Sequence, residues 1–399
     1  MRELARPLGA VALVPLALLA AALVFDALGY AGLAIVVAAI AATIRRKLGP
    51  RTLVAAAIAI PLVVLGGGLW PRLSAPRGLE GALVEDIALA TSASGRPRRP
   101  FSFSWNAGTR HLLVTHAHGD DGGAGVTLVD LSRGTPTTRY FPGPEEHAHS
   151  ATELPAQDTI AVHVSSESVP RTFFYPLTSG TPPVERFETR FTELETSVLD
   201  PRIDTLFLSD PERRMLEAMP PADFVAGHFE RLVEHPAPFQ SVKQLVLDPG
   251  RPGVVYGRAD LPGRVLRLDA ASGAIEDAGV GLYVPSIAID TRRRALYATQ
   301  TYRSSIVELD TDSLRVRRRR VIGGWPYGVE PVAPRGWIAV GSYIGNRVLF
   351  LDAETLAVRA SLPACAKVRS IFFDERDSVL YFGDECGLHR VRLAAPPRA

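Results

Sequence analysis

The sequence has few of the residues on which the common catalytic and metal-binding motifs depend. It contains two cysteines, Cys365 and Cys386, and neither forms part of a C-x-x-C pattern, which excludes a c-type haem and a cysteine-based zinc finger. Its two asparagines, Asn106 and Asn346, are too few to favour a calcium site lined by acids and asparagines. No Ser-His-Asp order, P-loop or strand–helix G-x-G-x-x-G is visible. These absences favour a protein that is not an enzyme, without excluding one.

The charge balance is also unremarkable for a chain of 399 residues, whose formal net charge is +2. So small a bias does not indicate a nucleic-acid partner. The arginines of the segment Arg317–Arg320 lie on an expected outermost strand. There, charge protects an exposed sheet edge from pairing with another chain.

Apolar residues are concentrated in the first 70 positions. Residues 7–25, 27–44 and 52–70 are each long enough to cross a hydrocarbon core of roughly 30 Å. A cleaved signal peptide would have one short apolar region, so we expect three transmembrane α-helices that form an anchor over residues 1–70. The lipid bilayer is then a partner of residues 7–70.

Basic residues indicate the orientation of this anchor. Arginines precede the first span, and four cations lie in the 45–51 segment between the second and third. The positive-inside rule places both in the cytoplasm. Three crossings of the cytoplasmic (inner) membrane then put everything after residue 70 on the periplasmic or extracellular side. With two spans, the alternative, the large domain would lie in the cytoplasm.

The rest of the chain is built from repeats. A Pro- and Gly-rich linker, 71–82, leads to an isolated strand at 83–90, and then a pattern of short strands recurs. The corners Leu309-Asp310 and Leu351-Asp352, 42 residues apart, end the third strand of two successive units. About four strands per unit at this spacing predict an all-β fold, a β-propeller.

Seven units can be counted, with six or eight as alternatives if the third unit is misread. The seventh unit ends after its third strand. We expect the isolated 83–90 strand to complete it, because pairing the two ends of the domain removes an open sheet edge. The predicted propeller therefore occupies residues 83–399. The blade connections and the turns between second and third strands share one face, here called the top, and the closing strand enters from the opposite, bottom face.

The strings VELDTDSL, FLDAETL, GGWPYGVEP and IAIDTRRRALYAT resemble the YVTN-type and NHL-like repeat propellers. This resemblance covers about 320 of the 399 residues. It implies a seven-bladed fold and says little about function.

The two cysteines are expected to form a disulfide. Cys365 and Cys386 are almost equally distant from the first turn of the last unit, near Arg376, so they should meet at the top edge of that hairpin. Such a pair oxidises outside the cytoplasm. Closing a loop of about 20 residues would stabilise the fold by roughly 3 kcal/mol. Two free thiols are the alternative.

Four of the nine histidines offer a possible site for a divalent transition metal. The string LLVTHAHGDDGG, residues 112–123, resembles the T-H-x-H-x-D-H motif of metallo-β-lactamase-fold hydrolases, but a strand follows it here instead of a helix. His116 and His118 would lie on the top face beside His147 and His149 of the next connection, and imidazole suits zinc, nickel or copper. A pair of solvated polar turns is the alternative, in which no cofactor is bound.

The mouth of the central channel is the second candidate site. The inner strands are expected to begin with residues whose opposed charges and aromatic rings can orient a polar ligand. These residues are Glu193, Glu195, Lys243, Tyr283, Tyr327, Lys367 and Arg369.

Together these features predict a membrane-anchored propeller outside the cytoplasm that acts as a binding or scaffold module. Its partner would be a protein or an envelope component, recognised by the top face. A metal-dependent propeller enzyme, such as a lyase or lactonase with its site on the top face, is the alternative.

Overall fold

The computed structural model describes residues 79, 82–91, 97–116, 125–143, 148–164, 170–179, 181–239 and 242–393. The three predicted spans, at 7–25, 27–44 and 52–70, lie outside these residues, as does most of the predicted 71–82 linker. Within the described residues, no helix combines the length and the apolar character needed to cross a membrane.

Seven four-stranded antiparallel sheets form the domain, which confirms the predicted propeller and its count of blades. Each sheet is a blade, and the first strand named for each blade is its innermost one. Blades one to three are β2 (Pro100–Asn106), β3 (His111–His116), β4 (Val126–Asp130), β5 (Thr137–Phe141); β6 (Ala148–Leu154), β7 (Thr159–Val164), β8 (Arg171–Pro176), β9 (Val184–Phe187); and β10 (Thr196–Asp200), β11 (Thr205–Asp210), β12 (Met215–Met219), β13 (Val233–Pro236). Blades four and five are β14 (Val242–Leu247), β15 (Val254–Ala259), β16 (Gly263–Asp269), β17 (Ala274–Gly281); and β18 (Ile287–Asp290), β19 (Ala295–Gln300), β20 (Ser305–Asp310), β21 (Val316–Val321). Blades six and seven are β22 (Pro326–Val332), β23 (Trp337–Ser342), β24 (Arg347–Asp352), β25 (Val358–Pro363); and β26 (Ser370–Asp374), β27 (Val379–Asp384), β28 (Gly387–Arg392), with β1 (Leu83–Ile87) as its outer strand.

The closing strand pairs where the sequence predicts. Strand β1 runs antiparallel to β28, with Val84 opposite Val391 and Asp86 opposite His389. It spans Leu83–Ile87, shorter than the predicted 83–90. The seventh sheet is therefore finished by the N-terminal end of the domain, and the ring has no open blade.

The hydrophobic core lies between blades. Seven clusters of buried apolar side chains occur among the described residues, and each joins two neighbouring blades. The cluster between blades seven and one includes Ile87 of the closing strand, packed with Leu112 and Tyr381. Each blade buries both faces, so the core stabilises the ring only when every blade has both neighbours.

Polar side chains also join successive blades. Ser102 Oγ donates to the His149 carbonyl, Thr152 Oγ1 to that of Ser197, and Ser370 Oγ to that of Phe101, at 2.9–3.0 Å. The amide of Gln244 both accepts from and donates to the backbone of Ile287. The Ser370 bond joins blade seven to blade one, across the closure of the ring.

Turn aspartates hold the hairpins. The carboxylate of Asp310 accepts the backbone N–H groups of Asp312 and Ser313 at 2.9 and 2.8 Å, and Asp352 does the same for Glu354 and Thr355. This local bonding is the structural reason for the repeated Leu-Asp corner.

The third blade departs from the others. Between β12 and β13 the chain forms a short helix, α1 (Pro221–Ala226), whose Phe224 is fully buried in the cluster between blades two and three. This inserted helix explains why the corner of the third unit is hard to recognise in the sequence.

The predicted disulfide is present. Cys365 precedes β26 and Cys386 lies in the turn between β27 and β28, and the two residues are bonded with their Cα atoms 5.9 Å apart. The pair joins the connection into blade seven to the top end of its central hairpin.

Candidate functional site

The mouth of the channel is formed where each chain connection turns into an innermost strand. The seven innermost strands stand side by side around the axis, with β2 beside β26. Each begins at the top face, so the residues at or just before its first position converge on the mouth. The connections place the predicted residues in circular order, with Glu193 and Glu195 before β10, Lys243 in β14 and Tyr283 before β18.

Charged side chains occupy the side of the mouth made by blades two, three and four. Glu195 is 7% exposed, and its Oε1 lies 3.1 Å from Nδ1 of His149 and 3.7 Å from Nζ of Lys243. Glu193 is half-buried beside it. One buried carboxylate thus draws together residues of three blades.

The two glutamates have opposite pKa shifts. Burial and the neighbouring Glu195 carboxyl raise the pKa of Glu193. Burial alone would raise the pKa of Glu195 too, but the hydrogen bond and charge of His149 and the charge of Lys243 lower it. Glu195 is therefore the anion of the pair, and Glu193 retains its proton to a higher pH than an ordinary carboxyl.

Aromatic side chains occupy the side made by blades five and six. The rings of Tyr283 and Tyr302 lie 5.2 Å apart between centroids, and those of Tyr327 and Tyr343 stack at 5.3 Å. Burial and the adjacent Tyr327 raise the pKa of Tyr283. Trp325 packs edge-on against Tyr302. The four tyrosines present phenol hydroxyls that can donate and accept hydrogen bonds.

Arg369 links the aromatic side to the charged side. Its guanidinium lies 5.5 Å from the centroid of the Tyr343 ring and 5.3 Å from that of Phe101, and Nη2 donates to the Tyr343 hydroxyl at 3.1 Å. Phe101 in turn packs edge-on against the His149 ring. A continuous series of contacts therefore connects Tyr327 to Glu195. Its intermediate members are Tyr343, Arg369, Phe101 and His149.

The backbone N–H of Lys367 donates to the Tyr343 carbonyl at 2.9 Å, but its side chain pairs with a residue outside this set. It is 8% exposed, and its Nζ is 2.8 Å from Oε1 of Glu385, which also lies 3.6 Å from Arg99. Six of the seven predicted mouth residues therefore belong to the charged and aromatic surface, hereafter the mouth surface. Lys367 holds the connection into blade seven.

The predicted metal histidines have different surroundings. His116 is 1% exposed, its Nε2 is 2.7 Å from the Thr127 hydroxyl, and burial lowers its pKa to about 4. His149 belongs to the mouth surface through Glu195. His118 and His147 lie outside the described residues, so the four-histidine site stays a prediction.

Several residues of the mouth surface are absent from the sequence-based set. Tyr302 and Tyr343 lie in second turns, after β19 and β23, and Phe101 follows the first residue of β2. Alignment of the repeats locates innermost strands, but it does not show which turn residues lean over the axis. The string GGWPYG signals part of this side, because Trp325 and Tyr327 both belong to it.

The mouth surface combines one anionic carboxylate, one carboxyl with a raised pKa, two cationic side chains and several phenols. Such a set can donate and accept hydrogen bonds with a polar ligand and pack against its apolar parts. No Ser-His-Asp constellation is found among these residues. The arrangement is suited to binding.

Comparison with known proteins supports the fold only. No protein-family model matches the sequence, and no curated protein matches it. Among solved structures, the chain is similar to the WD40 beta propeller domain of Doa1, with a TM-score of 0.55 and 11% sequence identity, over 77% of this chain and 97% of that chain. At this identity the similarity shows that the two share a propeller architecture.

Proposed function

We propose that this protein is a membrane-anchored, extracytoplasmic propeller that binds a protein or an envelope component through its mouth surface. The observation that carries the proposal is the contact set itself, in which Glu195, Arg369 and Tyr327 from three different blades converge on one opening. The repeat strings further suggest kinship with the YVTN-type and NHL-like propellers.

The balance of the mouth surface indicates the character of the ligand. Lys243 and Arg369 are partly satisfied by Glu195 and by ring faces, so the surface has no strong charge of one sign. Mixed polar and aromatic surfaces are typical of recognition sites for peptides and other polar macromolecular ligands. The ligand should therefore carry both hydrogen-bonding groups and apolar area.

The anchor is supported by the three apolar segments at 7–25, 27–44 and 52–70 and by the basic 45–51 segment between the last two. It is tested with protease added to spheroplasts. The propeller should be digested without lysis, and digestion only after lysis would contradict the extracytoplasmic location.

The binding function is tested by co-purification from gently solubilised membranes after cross-linking. A mouth variant, Glu193→Ala with Lys243→Ala and Arg369→Ala, should lose the partners that the wild type recovers. A matched variant at the opposite face, Arg292→Ala with Glu375→Ala, should keep them, because both of its side chains are more than half exposed away from the mouth. Equal recovery by the two variants would contradict the proposal, provided that circular dichroism shows both folded.

A further inference from the structure

Three potential metal ligands converge at the top of blade seven. Cys365, Asp384 and Cys386 each place one ligand atom within 4.8 Å of the others. Cys386 is exposed and Asp384 is buried, so the group lies at the protein surface with its carboxylate beneath it. The set is distinct from the predicted histidine site, which lies in blades one and two.

Asp384 fixes the positions of both cysteines. It is 2% exposed, and its two carboxylate oxygens accept the backbone N–H groups of Cys365 and Cys386, each at 2.8 Å. These bonds run to the backbone, so they do not depend on the disulfide. The two sulfur atoms should therefore stay close to the carboxylate after the disulfide is reduced.

A histidine lies against the carboxylate of this group. His389 of β28 places Nε2 3.0 Å from Oδ1 of Asp384, and its Nδ1 lies 2.7 Å from Oδ1 of Asp86. Histidines that bind zinc almost always donate their other ring N–H to a carboxylate or carbonyl, which fixes the ring and its tautomer. The pair His389–Asp86 already has this arrangement.

Blade three has a carboxylate at the equivalent position, at the end of its second strand, but no cysteines next to it. Asp210 also ends the second strand of its blade and accepts two backbone N–H groups of the preceding connection, those of Thr192 and Glu193, at 2.7 and 3.2 Å. A carboxylate that binds the backbone of the preceding connection therefore occurs in both blades. Blade seven differs in having two sulfur atoms and a histidine that is hydrogen-bonded to a second carboxylate.

We propose that the reduced form of this protein binds a thiophilic divalent metal of the zinc class through Cys365, Cys386, Asp384 and His389. Two sulfurs, one imidazole nitrogen and one carboxylate oxygen are ligands that tetrahedral zinc accepts. Disulfide and metal then exclude each other, because the sulfurs that bind the ion are the ones that form the bond.

Conversion of the disulfide form into the metal-bound form consumes one reducing dithiol. A reducing dithiol transfers two electrons and two protons to the Cys365–Cys386 bond and becomes a disulfide itself. The metal then binds the two thiolates, and two protons are released to solvent. Cys386 is exposed, so both the dithiol and the ion can reach the site.

The metal would also affect ring closure. Asp86 belongs to the closing strand β1, whereas the four ligands belong to the connection and strands of blade seven. Through His389 the ion would therefore tie the hairpin to the strand that completes it.

The test is a cobalt(II) titration of the full chain in mild detergent, reduced by a phosphine and kept free of oxygen. We expect one equivalent to produce the thiolate-to-cobalt charge-transfer band and the intense visible bands of tetrahedral cobalt. Cys386→Ser should abolish the charge-transfer band, and His389→Gln should weaken the visible bands. Asp86→Asn should leave the spectrum unchanged and reduce affinity about 10- to 100-fold, because it only orients the histidine.

Oxidation gives a second readout that needs no variant. A disulfide-forming oxidant added to the zinc-loaded protein should release one equivalent of zinc to a coloured chelator. Absence of the charge-transfer band in the reduced wild type would overturn the proposal. The proposal would also be overturned if neither His389→Gln nor Asp384→Asn changed the cobalt spectrum or the affinity, since the two thiols alone would then bind the ion.

Discussion

At the scale of single residues, the contribution of an arginine to the stability of the fold depends on whether its ion pair is buried or exposed. Arg110 is largely buried and pairs through Nη2 with Asp374 of blade seven at 2.6 Å and with Asp377 at 2.7 Å. Arg292 and Glu375, also an ion pair at the bottom face, are both more than half exposed. Exposed pairs contribute little to stability, but removing one partner of a buried pair leaves an uncompensated charge.

Arg110→Met should therefore lower the free energy of unfolding by about 3 kcal/mol, because it leaves the buried Asp374 without its cation. The matched exposed change, Arg292→Met, should alter it by less than about 1 kcal/mol. Urea denaturation of the two variants at pH 7 gives the comparison. Equal losses would show that the blade seven–blade one ion pair has no special role.

A second residue-scale prediction concerns Glu330 on β22. Burial raises its pKa to about 8, and its hydrogen-bond donor is the backbone N–H of Phe373, 3.4 Å from Oε1. Its pKa in the unfolded chain is about 4.3. The folded protein therefore binds one proton more than the unfolded chain between these values, and stability falls as pH rises from about 5 to about 8.

Glu330→Gln keeps an acceptor for Phe373 and removes this titration. The variant should gain a few kcal/mol over the wild type at pH 9 relative to their difference at pH 4. Glu375→Gln, at an exposed position, should follow the wild type at both values. Parallel pH profiles of urea denaturation for wild type and Glu330→Gln would contradict the prediction.

Turn residues were the most predictable part of the chain. The carboxylate of each turn aspartate accepts a backbone N–H two or three residues further on; these aspartates are 200, 248, 290 and 374 in first turns and 130, 269, 310 and 352 in third turns. Their bonds are local, so the sequence is sufficient. The arginines of β21 also bind close neighbours: Arg317 and Arg318 form ion pairs with Glu308 of the adjacent strand β20.

At the scale of elements, closure of the ring depends on a strand of five residues. In β1 the side chain of Ile87 is 9% exposed and packs between blades seven and one, whereas Val84 is 43% exposed. The isolated strand was predictable because the last unit visibly lacked one. The end of the strand at Ile87 was not predictable, because the sequence remains apolar through residue 90.

Ile87→Asp should lower the free energy of unfolding by about 3 kcal/mol or more, since it puts a charge into the closing cluster. Val84→Asp, in the same strand, should cost less than about 1 kcal/mol. Thermal unfolding followed by circular dichroism compares them. Equal melting temperatures would mean that β1 does not carry the closure.

The disulfide acts on the same blade. Its cysteines are 21 positions apart, so replacing both by serine should lower the free energy of unfolding by roughly 3 kcal/mol. Reduced wild type, with a chelator present, should match the double variant in urea denaturation. A variant as stable as the oxidised wild type would contradict this expectation.

At the scale of the whole molecule, sequence repeats predicted the ring but only part of its binding face. Glu195, Lys243 and Arg369 could be located because each lies at the start of an innermost strand. Tyr302 and Tyr343 could not, because their position over the mouth depends on how turns of blades five and six lean together in three dimensions. The opposite pKa shifts of Glu193 and Glu195 likewise arise from neighbours contributed by other blades.

The most direct measurement compares photo-cross-linking at the two faces in living cells. A photoreactive phenylalanine derivative replaces Thr192, exposed beside the mouth surface, or Glu375, exposed at the opposite face. If the mouth surface binds the ligand, the probe at 192 gives discrete adducts that disappear in the mouth variant, and the probe at 375 gives none of these adducts. Adducts at 375 alone, or adducts at 192 that persist in the mouth variant, would contradict the account.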